Sequence, residues 1–231
     1  MTPPLVKICG LSTPDTLDAA LGAGADMVGF VFFEPSPRHI GLATARELSR
    51  STGDRAARVA LTVDADDAYL AAIVEALRPQ VLQLHGRESA ARVRDIKARF
   101  GLPVMKAIAI ETADDLAHVA AYVADVDYIL FDARAPKDAT RPGGLGRPFD
   151  WTILRGLTLP VPFLLSGGLD PDNVARAIAV TRPYGVDVSS GVERAPGVKD
   201  IARIRAFVAA AHAASDDAAL TPPSTPIASR A

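Results

Sequence analysis

The stretch "VPFLLSGGLDPDNVARAIAVTRPYGVDVSSG", residues 161–191, decides the fold. It begins with a short apolar run, passes through two glycines into an Ala-rich segment with helical spacing, and ends on a second apolar run. A strand, a helix and a strand in this order form a βαβ unit, in which the helix connects two parallel strands. The fold class therefore depends on how often the unit recurs along the chain.

The same alternation continues through most of the sequence. Segments with helical spacing and acidic or hydroxyl starts lie between the apolar runs, and the starts at Thr13 and at Asp170-Pro171-Asp172 are typical of helix N-termini. Continuous apolar runs are typical of parallel strands that are covered on both faces. Eight strand–helix units predict the α/β class, with a single (β/α)8 TIM barrel over residues 1–214. The eight apolar runs are "LVKIC", "DMVGFVFF", "RVALTV", "VLQL", "VMKAIAI", "DYILFD", "VPFLLS" and "GVDVS". Examples of the helical segments are "TPDTLDAALGAGA", "DDAYLAAIVEALR", "ESAARVRDIKARF", "TADDLAHVAAYVA" and "PDNVARAIAV".

A doubly wound open sheet is the main alternative architecture. It usually carries a Gly-x-Gly-x-x-Gly turn after its first strand, whereas this chain has "CGLSTP" there and so lacks a dinucleotide fingerprint. From residue 215 to residue 231 the sequence is small, polar and Pro-rich, which predicts a disordered C-terminal tail. The connection over residues 133–150 is too long for a tight turn, and we expect it to form an active-site flap.

Composition limits the classes of function. About half of the 231 residues are hydrophobic and the formal net charge is −2, which predicts a globular protein without the basic surface that nucleic acids or anionic membranes require. No apolar run approaches the roughly 18 residues of a membrane span, and the first residues have no signal-peptide pattern, so we expect a cytoplasmic location. The single cysteine excludes an internal disulfide and a multi-cysteine metal site.

Side chains capable of chemistry occur at the ends of the predicted strands. The active site of a (β/α)8 barrel lies where the C-terminal ends of the strands meet the following loops. Lys7 and Cys9 share one face of their strand, and a charged Lys7 belongs near the wet mouth, so we expect Cys9 to be accessible. Acting as a base requires Lys7 or another positive field to lower the pKa of the thiol. Acting as an acid requires Asp132 to have its pKa raised by burial or by a neighbouring anion. The strand-end residues are Cys9, Arg38, Gln83, His85, Asp132 and Asp187.

Each of these residues also has a purely structural interpretation. Cys9 alone could be a buried small hydrophobe, and Asp132 a helix cap or the partner of Arg134. Arg38 could be a solvated loop cation, although two flanking prolines stiffen it in a way that suits bidentate carboxylate binding. His85 could be a strand-end residue with its hydrogen bonds satisfied.

The loops after strands seven and eight have the character of a phosphate site. In "LLSGGLDPDNV" and "VDVSSGVE" an apolar strand is followed by small residues, and the first of the two loops leads into a helix N-terminus. Backbone N–H groups there can hold a dianion without a basic cluster, at the place where (β/α)8 barrels bind phosphate. The alternative is that Gly167, Gly168 and Gly191 serve tight turns only. No histidine pair at i, i+4 and no carboxylate cluster with ligand spacing occurs, so we expect no metal site.

Together these residues resemble the phosphoribosylanthranilate isomerase family, from residue 5 to about residue 210. The resemblance implies a (β/α)8 barrel in which Cys9 is the general base, Asp132 the general acid and Arg38 the ligand of the substrate carboxylate. The implied phosphate-binding residues are Gly167, Gly168, Ser189, Ser190 and Gly191. From their positions on the strands we predict Lys7, Gln83, His85 and Asp187 as further substrate contacts, and we add Gly143, Gly144 and Gly146 as candidate phosphate contacts. The motifs that carry the resemblance are "VKICGL", "GADMVGFVFFEPSPRHI", "VLQLHG", "VMKAI", "FDA", "GGLGRPFDW", "PFLLSGGLDPDNVARAI" and "YGVDVSSGVERAPGVKD".

The reaction implied by this resemblance is the Amadori rearrangement of N-(5-phosphoribosyl)anthranilate in tryptophan biosynthesis. It needs no cofactor, because the imine formed from the substrate's own nitrogen takes up the electrons, and the partner is a small phosphorylated aminosugar. We expect a monomer. The chain departs from the family pattern at "GGLGR", where "GGTGK" is frequent, and the third strand lacks an aromatic residue near its end. The equivalent isomerase of histidine biosynthesis and a non-catalytic phosphosugar-binding barrel remain as alternatives.

Overall fold

Eight parallel strands close into a barrel in the computed structural model, which describes residues 3–134, 143 and 149–220, with side chains up to residue 214. The first strand pairs with both the second and the eighth, so the sheet closes on itself. This confirms the predicted (β/α)8 barrel. The strands are β1 (Leu5–Cys9), β2 (Met27–Phe32), β3 (Ala57–Thr62), β4 (Val81–Leu84), β5 (Val104–Ile110), β6 (Tyr128–Ala133), β7 (Phe163–Leu165) and β8 (Gly185–Val188).

Helices surround the barrel. The last helix extends to Leu220, past the boundary expected at residue 214, and residues 221–231 of the expected tail lie outside the described residues. Within the described part, no helix has both the length and the apolar character needed to cross a membrane. The α-helices are α1 (Pro14–Ala23), α2 (Leu42–Thr52), α3 (Asp67–Leu77), α4 (Ala90–Phe100), α5 (Val174–Thr181) and α6 (Ile201–Leu220).

The structure changes two of the predicted helices. Thr13 caps α1 as expected, its side chain accepting from the backbone of Thr16. However, Asp170 forms a turn ahead of α5: its Oδ1 accepts from the backbone N–H groups of the second and third residues after it, so the helix begins only at Val174. The segment predicted as a helix between β5 and β6 is a 3₁₀ helix, Ala113–Ala121, and a second, shorter one, Trp151–Leu154, precedes β7.

The interior of the barrel changes from apolar to polar along the strands. Side chains alternate along each strand, so the residues that share a face with Met27, Val59 and Leu130 point inward. These three belong to an apolar cluster near the N-terminal ends of the strands. Toward the C-terminal ends the inward residues are buried polar groups, which places the candidate site at the C-terminal mouth. They are Lys7, Gln83, Asp132, Ser166 and Asp187.

A short hairpin follows the barrel, made of β9 (Glu193–Ala195) and β10 (Val198–Lys199). It connects β8 to α6 and returns the chain toward the loop that follows β2. There, Gly197 at the hairpin turn packs so closely on Pro37 that a Cβ at Gly197 would collide with the Pro37 carbonyl oxygen.

Candidate active site

A buried ion pair lies inside the barrel, between β1 and β8. The Lys7 Nζ donates to Asp187 Oδ1 at 2.7 Å, and Ser166 Oγ donates to the other oxygen of Asp187 at 3.2 Å. Burial disfavours the ammonium form, but the Asp187 carboxylate outweighs burial and raises the pKa of Lys7. Lys7 has no exposed surface, so the expectation that it is in contact with water near the mouth is wrong. The carboxylate takes the place of water around its charge.

Cys9 ends β1 and is also buried, with 3% of its surface exposed, so the expectation of an accessible thiol is wrong. A Cβ built on Gly29 of β2 would lie 2.8 Å from the Cys9 Sγ and 3.2 Å from Lys7 Nζ, which places thiol and ammonium side by side over that glycine. Burial raises the pKa of the Cys9 thiol and Asp187 raises it further, while Lys7 and Lys199 act in the opposite direction. The expected positive field is therefore present but does not outweigh burial.

Asp132 ends β6 and contacts a histidine from β4. The Nε2 of His85 lies 3.2 Å from Asp132 Oδ2, and the Nε2 amide of Gln83 lies 3.1 Å from the other ring nitrogen, Nδ1. An amide N–H donating to Nδ1 places the proton of a neutral imidazole on Nε2, directed at the carboxylate. Gln83, His85 and Asp132 thus form one chain of contacts.

The structural alternative in which Asp132 pairs with Arg134 is wrong. The guanidinium of Arg134 instead pairs with Asp115 and, at 3.2 Å, with Glu111. Arg134 follows the last residue of β6, and its side chain is partly exposed and held by these two partners away from Asp132. Asp132 is therefore available to the mouth, where its exposed fraction is 6%.

Arg38 is a buried cation and does not behave as a solvated loop residue. Its Nε donates to Glu193 Oε1 at 2.7 Å and its Nη2 donates to Glu193 Oε2 at 2.8 Å, in a bidentate pair. A Cβ on Gly10 would lie 2.6 Å from the Arg38 Cδ. The arginine side chain therefore crosses the end of β1 directly beside Cys9.

Three buried residues of the site carry roles that sequence reasoning missed: Ser166, Glu193 and Lys199. Ser166 ends the run "VPFLLS", two residues after the inward Leu164. Residues two apart share one face of a strand, so the inward orientation of Ser166 could be predicted from the strand pattern. Glu193 and Lys199 lie beyond β8 in "GVERAPGVKD", where no periodicity indicates burial. Only the return of the hairpin β9–β10 onto the loop after β2 brings them into the site.

The two loops expected to bind phosphate lie against each other. A Cβ on Gly191, after β8, would collide with the backbone carbonyl of Leu169, after β7, so only a glycine permits this approach. Gly167 and Gly168 have φ values of +85° and +68°, a region that favours glycine. The glycines therefore do more than serve separate turns, since they bring two backbones into contact.

Ser189 connects the second of these loops to β1, because its hydroxyl donates to the Cys9 backbone carbonyl at 3.1 Å. Ser190 begins a short 3₁₀ helix, Ser190–Val192. Gly143 lies elsewhere: a Cβ there would meet the Asp132 carboxylate and would lie 2.9 Å from His85 Nε2. Gly144 and Gly146, with most of the expected flap, lie outside the described residues.

The mouth of the barrel thus combines a buried thiol, a carboxyl group with its imidazole partner, a guanidinium and two closely packed glycine loops. An acid and a base on different strands of one lumen are what a proton-transfer reaction on a sugar requires. In the described part of the chain, no three His, Cys, Asp or Glu side chains gather in a way that would hold a metal ion.

Comparison with known proteins identifies the family. The family model of N-(5'-phosphoribosyl)anthranilate isomerase matches residues 6–210. Among curated proteins, the N-(5'-phosphoribosyl)anthranilate isomerase of Bradyrhizobium sp. strain ORS 278 is 68% identical over 212 residues, which cover 92% of this chain and 97% of that protein. The corresponding protein of Rhodopseudomonas palustris strain HaA2 is 65% identical over the same share of this chain and 97% of its own length.

Solved structures agree with the sequence comparison. The crystal structure of phosphoribosyl anthranilate isomerase from Thermotoga maritima superposes with a TM-score of 0.80 at 34% identity, covering 90% of this chain and 98% of that one. A structure of phosphoribosyl anthranilate isomerase in complex with reduced 1-(o-carboxyphenylamino)-1-deoxyribulose 5-phosphate superposes with a TM-score of 0.77 at 33% identity and with the same coverage. The chain therefore belongs to the N-(5'-phosphoribosyl)anthranilate isomerase family, the aldose–ketose isomerases of tryptophan biosynthesis.

Proposed function

We propose that this isomerase carries out its Amadori rearrangement with Asp132 as general acid and Cys9 as general base. Asp132 donates a proton to the furanose ring oxygen, the C1–O bond breaks, and the anthranilate nitrogen lone pair forms the Schiff base. The Cys9 thiolate then removes the proton from C2, and the electrons of the C–H bond move into the imine. The resulting enolamine tautomerises to the ketone, 1-(2-carboxyphenylamino)-1-deoxyribulose 5-phosphate.

The observation that carries this proposal is the placement of Cys9 and Asp132 on inward faces at the C-terminal ends of β1 and β6. Both side chains end in one lumen, and the two strands lie three positions apart around its ring, separated by β7 and β8. A sugar bound there would meet an acid from one strand and a base from the other. Because burial raises the pKa of Cys9, the thiolate is a minor species at neutral pH, and its ammonium neighbour Lys7 assists its formation.

Two different parts of the mouth are candidates for binding the two anionic groups of the substrate. We propose that Arg38 binds the anthranilate carboxylate and that the loops containing Gly167, Gly168 and Ser189 to Gly191 bind the phosphate. The close packing of the two loops supports this, since it brings their backbones together at one place, and gathered backbone N–H groups are a common anion-binding arrangement. The complex of the related enzyme with a carboxylate- and phosphate-bearing ligand supports it as well. Gly143, Gly144 and Gly146 stay candidate phosphate contacts.

The remaining predicted substrate contacts take modified roles in this proposal. Lys7 and Asp187 contact each other, and Lys7 acts on the thiol beside it through its charge. Gln83 contacts His85, and His85 contacts Asp132 and holds its carboxyl group toward the lumen.

The experiment is complementation of a tryptophan auxotroph that lacks this isomerase step, combined with kinetics of the purified variants. The wild type restores growth, whereas Cys9→Ala and Asp132→Asn do not, and kcat falls by about 10²- to 10⁴-fold, as is typical when a proton-transfer group is lost. Asp18→Asn is the matched control, because Asp18 is an exposed carboxylate in an ion pair with the exposed Arg55. Growth on either variant of a catalytic residue would refute the assigned roles.

The same purified enzyme decides between the alternatives. Preference for the aminoaldose of histidine biosynthesis over N-(5'-phosphoribosyl)anthranilate would favour that isomerase, and binding without turnover would favour a non-catalytic barrel. A monomeric state and a cytoplasmic location stay predictions. One solved structure from Thermotoga maritima is described as generated monomers of a dimeric phosphoribosylanthranilate isomerase, so sedimentation of this chain is the direct measurement of its assembly.

A further inference from the structure

We propose that Glu193 and Lys199 of the hairpin β9–β10 are positioning residues that fix the guanidinium of Arg38 for binding a carboxylate. This rests on the proposed function of Arg38 and adds to it the groups that set its orientation. Neither residue is expected to touch the substrate.

The carboxylate of Glu193 is fully occupied by donors. Its Oε1 accepts from Arg38 Nε at 2.7 Å and from Lys199 Nζ at 2.9 Å, while its Oε2 accepts from Arg38 Nη2 at 2.8 Å and from the Gly197 backbone at 3.2 Å. Four donors in two pairs leave the carboxylate one orientation. Because a guanidinium is planar and bonded here through two of its nitrogens, its plane is fixed as well.

Lys199 connects this carboxylate to the end of β1, where the proposed base Cys9 lies. Its three donors reach Glu193, the Ser189 backbone oxygen at 2.8 Å and the Ser189 hydroxyl at 3.2 Å. That hydroxyl donates to the backbone carbonyl of Cys9 at 3.1 Å. The position of Arg38 is therefore tied through three side chains to the residue that carries the thiol.

The electrostatics of the cluster favour a fixed, charged carboxylate. Burial works against ionisation of Glu193, but hydrogen bonds from Arg38 and the charge of Lys199 outweigh it and lower the pKa of Glu193. Burial lowers the pKa of Lys199, and repulsion from Arg38 adds to this, while the shared Glu193 carboxylate opposes it. One carboxylate thus serves two cations, and its charge is held where both can reach it.

Packing also makes Arg38 depend on the hairpin. Gly197, with φ of +80°, brings the hairpin turn against Pro37, and Gly10, with φ of +76°, leaves space for the Arg38 side chain. Arg38 consequently lies between the hairpin and the end of β1. A side chain enclosed on both sides loses little conformational entropy on binding a ligand, which is the advantage of a preorganised group.

The test uses a pair of ligands that differ in one group. The first is reduced 1-(o-carboxyphenylamino)-1-deoxyribulose 5-phosphate, and the second is the same compound without the ring carboxylate. The main variant is Glu193→Gln with Lys199→Met, which removes one negative and one positive charge together. We expect its affinity for the carboxylated ligand, measured by calorimetry, to fall by about 10- to 100-fold, the loss of a charged hydrogen-bonded contact. The second ligand should weaken only as far as the lost Lys199 contacts to Ser189 disturb phosphate binding, so the ratio of the two affinities should change by about 10-fold or more.

Two further proteins make the result specific. Glu88→Gln with Lys106→Met removes another buried Lys–Glu pair, 3.0 Å apart, and should not change the preference between the two ligands. Glu193→Asp keeps the charge with a shorter side chain that cannot reach all four donors, and it should weaken the carboxylated ligand selectively even if the double variant folds poorly.

Non-additivity with Arg38 completes the test. Once Arg38→Met has removed the guanidinium, the charge-paired change at Glu193 and Lys199 should cause no further loss for the carboxylated ligand. Equal weakening of both ligands, or an unchanged preference in Glu193→Asp, would overturn the positioning role. Failure of the proposed function looks different: the wild type itself would neither turn over N-(5'-phosphoribosyl)anthranilate nor bind either ligand.

Discussion

The Nε2 of His85 lies 3.2 Å from the Oδ2 of Asp132, across the C-terminal ends of β4 and β6. Gln83, two residues earlier on β4, holds the other ring nitrogen. A carboxyl group that donates and regains a proton must have a fixed orientation. The His85 ring, which Gln83 holds through its other nitrogen, fixes the orientation of Asp132. The imidazole is thus a structural partner of the candidate acid.

Replacing His85 should therefore reduce catalysis more than binding. His85→Leu removes the donor to Asp132, and we expect kcat to fall by about 10- to 100-fold, the equivalent of roughly 1.5–3 kcal/mol for a hydrogen bond to a charged group. His85→Gln keeps an N–H donor and should recover part of the loss. Steady-state kinetics would show this as a change in kcat at nearly constant KM. A rise in KM alone would mean that His85 contacts the substrate instead.

The pH dependence of Cys9 alkylation reports its ionisation, because Cys9 is the single cysteine of the chain and its burial slows the reaction at every pH. A raised pKa means that less thiolate is present at pH 7 than in an ordinary thiol, so iodoacetamide should react more slowly than with N-acetylcysteine. The rate should rise as the pH increases toward and beyond the ordinary thiol value. Mass spectrometry of timed samples measures it, and a fast reaction at pH 7 would contradict the raised pKa.

Asp187 should hold the thiol in its neutral form. It raises the pKa of Cys9 by its own charge and also compensates the charge of Lys7. Asp187→Asn removes both effects, so alkylation of Cys9 at pH 7 should become faster than in the wild type. Ser166→Ala removes only one hydrogen bond to the same carboxylate and serves as the matched control. Slower alkylation in Asp187→Asn would show that an unpaired Lys7 loses its proton first.

Gly191 should tolerate no larger residue, because a Cβ there would collide with the Leu169 carbonyl. Gly191→Ala must separate the loops after β7 and β8, and we expect a stability loss of about 1–3 kcal/mol with a raised KM. Gly22 is the control, since it lies inside α1, where a built Cβ meets no atom of the described residues within 4 Å apart from the backbone of its own helix and its chain neighbours. Gly22→Ala should stabilise the protein by roughly 0.5–1 kcal/mol. Urea unfolding distinguishes the two, and equal effects would contradict the packing argument.

Glu193 should contribute stability that disappears in acid. Its pKa is lowered in the folded protein, so its contribution is present above the unfolded value and is lost as the pH falls through the folded value. The wild type should consequently lose more stability between pH 5 and pH 3 than Glu193→Gln with Lys199→Met. Urea midpoints at several pH values measure the difference, to which the other carboxylates contribute equally in both proteins. Parallel curves would mean that the pair does not couple to folding.

Most of the fold could be predicted from the sequence, and the errors of that prediction have local causes. The eight apolar runs all became strands of one closed barrel. The start of α5 was placed too early, because Asp170 caps a turn and not the helix. The segment Ala113–Ala121 has helical periodicity but forms a 3₁₀ helix. Periodicity reports which face is buried and not which hydrogen-bond spacing closes the turn.

The sequence predicted which residues form the candidate site better than it predicted which of them contact one another. Alternation along β1 correctly placed Lys7 and Cys9 on one face, but the expected contact of both side chains with water was wrong. A lysine considered on its own predicts a solvent-exposed side chain. Its buried partner Asp187 cannot be recognised locally, because it is 180 residues away in the sequence. Burial of such a pair becomes favourable only when closure of the barrel brings the two charges together.

By itself the sequence determined the class of fold, the order of the strands, the family and the residues at the strand ends, because strand periodicity and motifs are local properties of the chain. Tertiary structure alone decided that Glu193 and Lys199 enclose Arg38, that His85 contacts Asp132, and that the Cys9 thiol is shielded from water. These relationships join residues from different strands and loops. Their energies depend on distance and burial in three dimensions, which only the closed barrel sets.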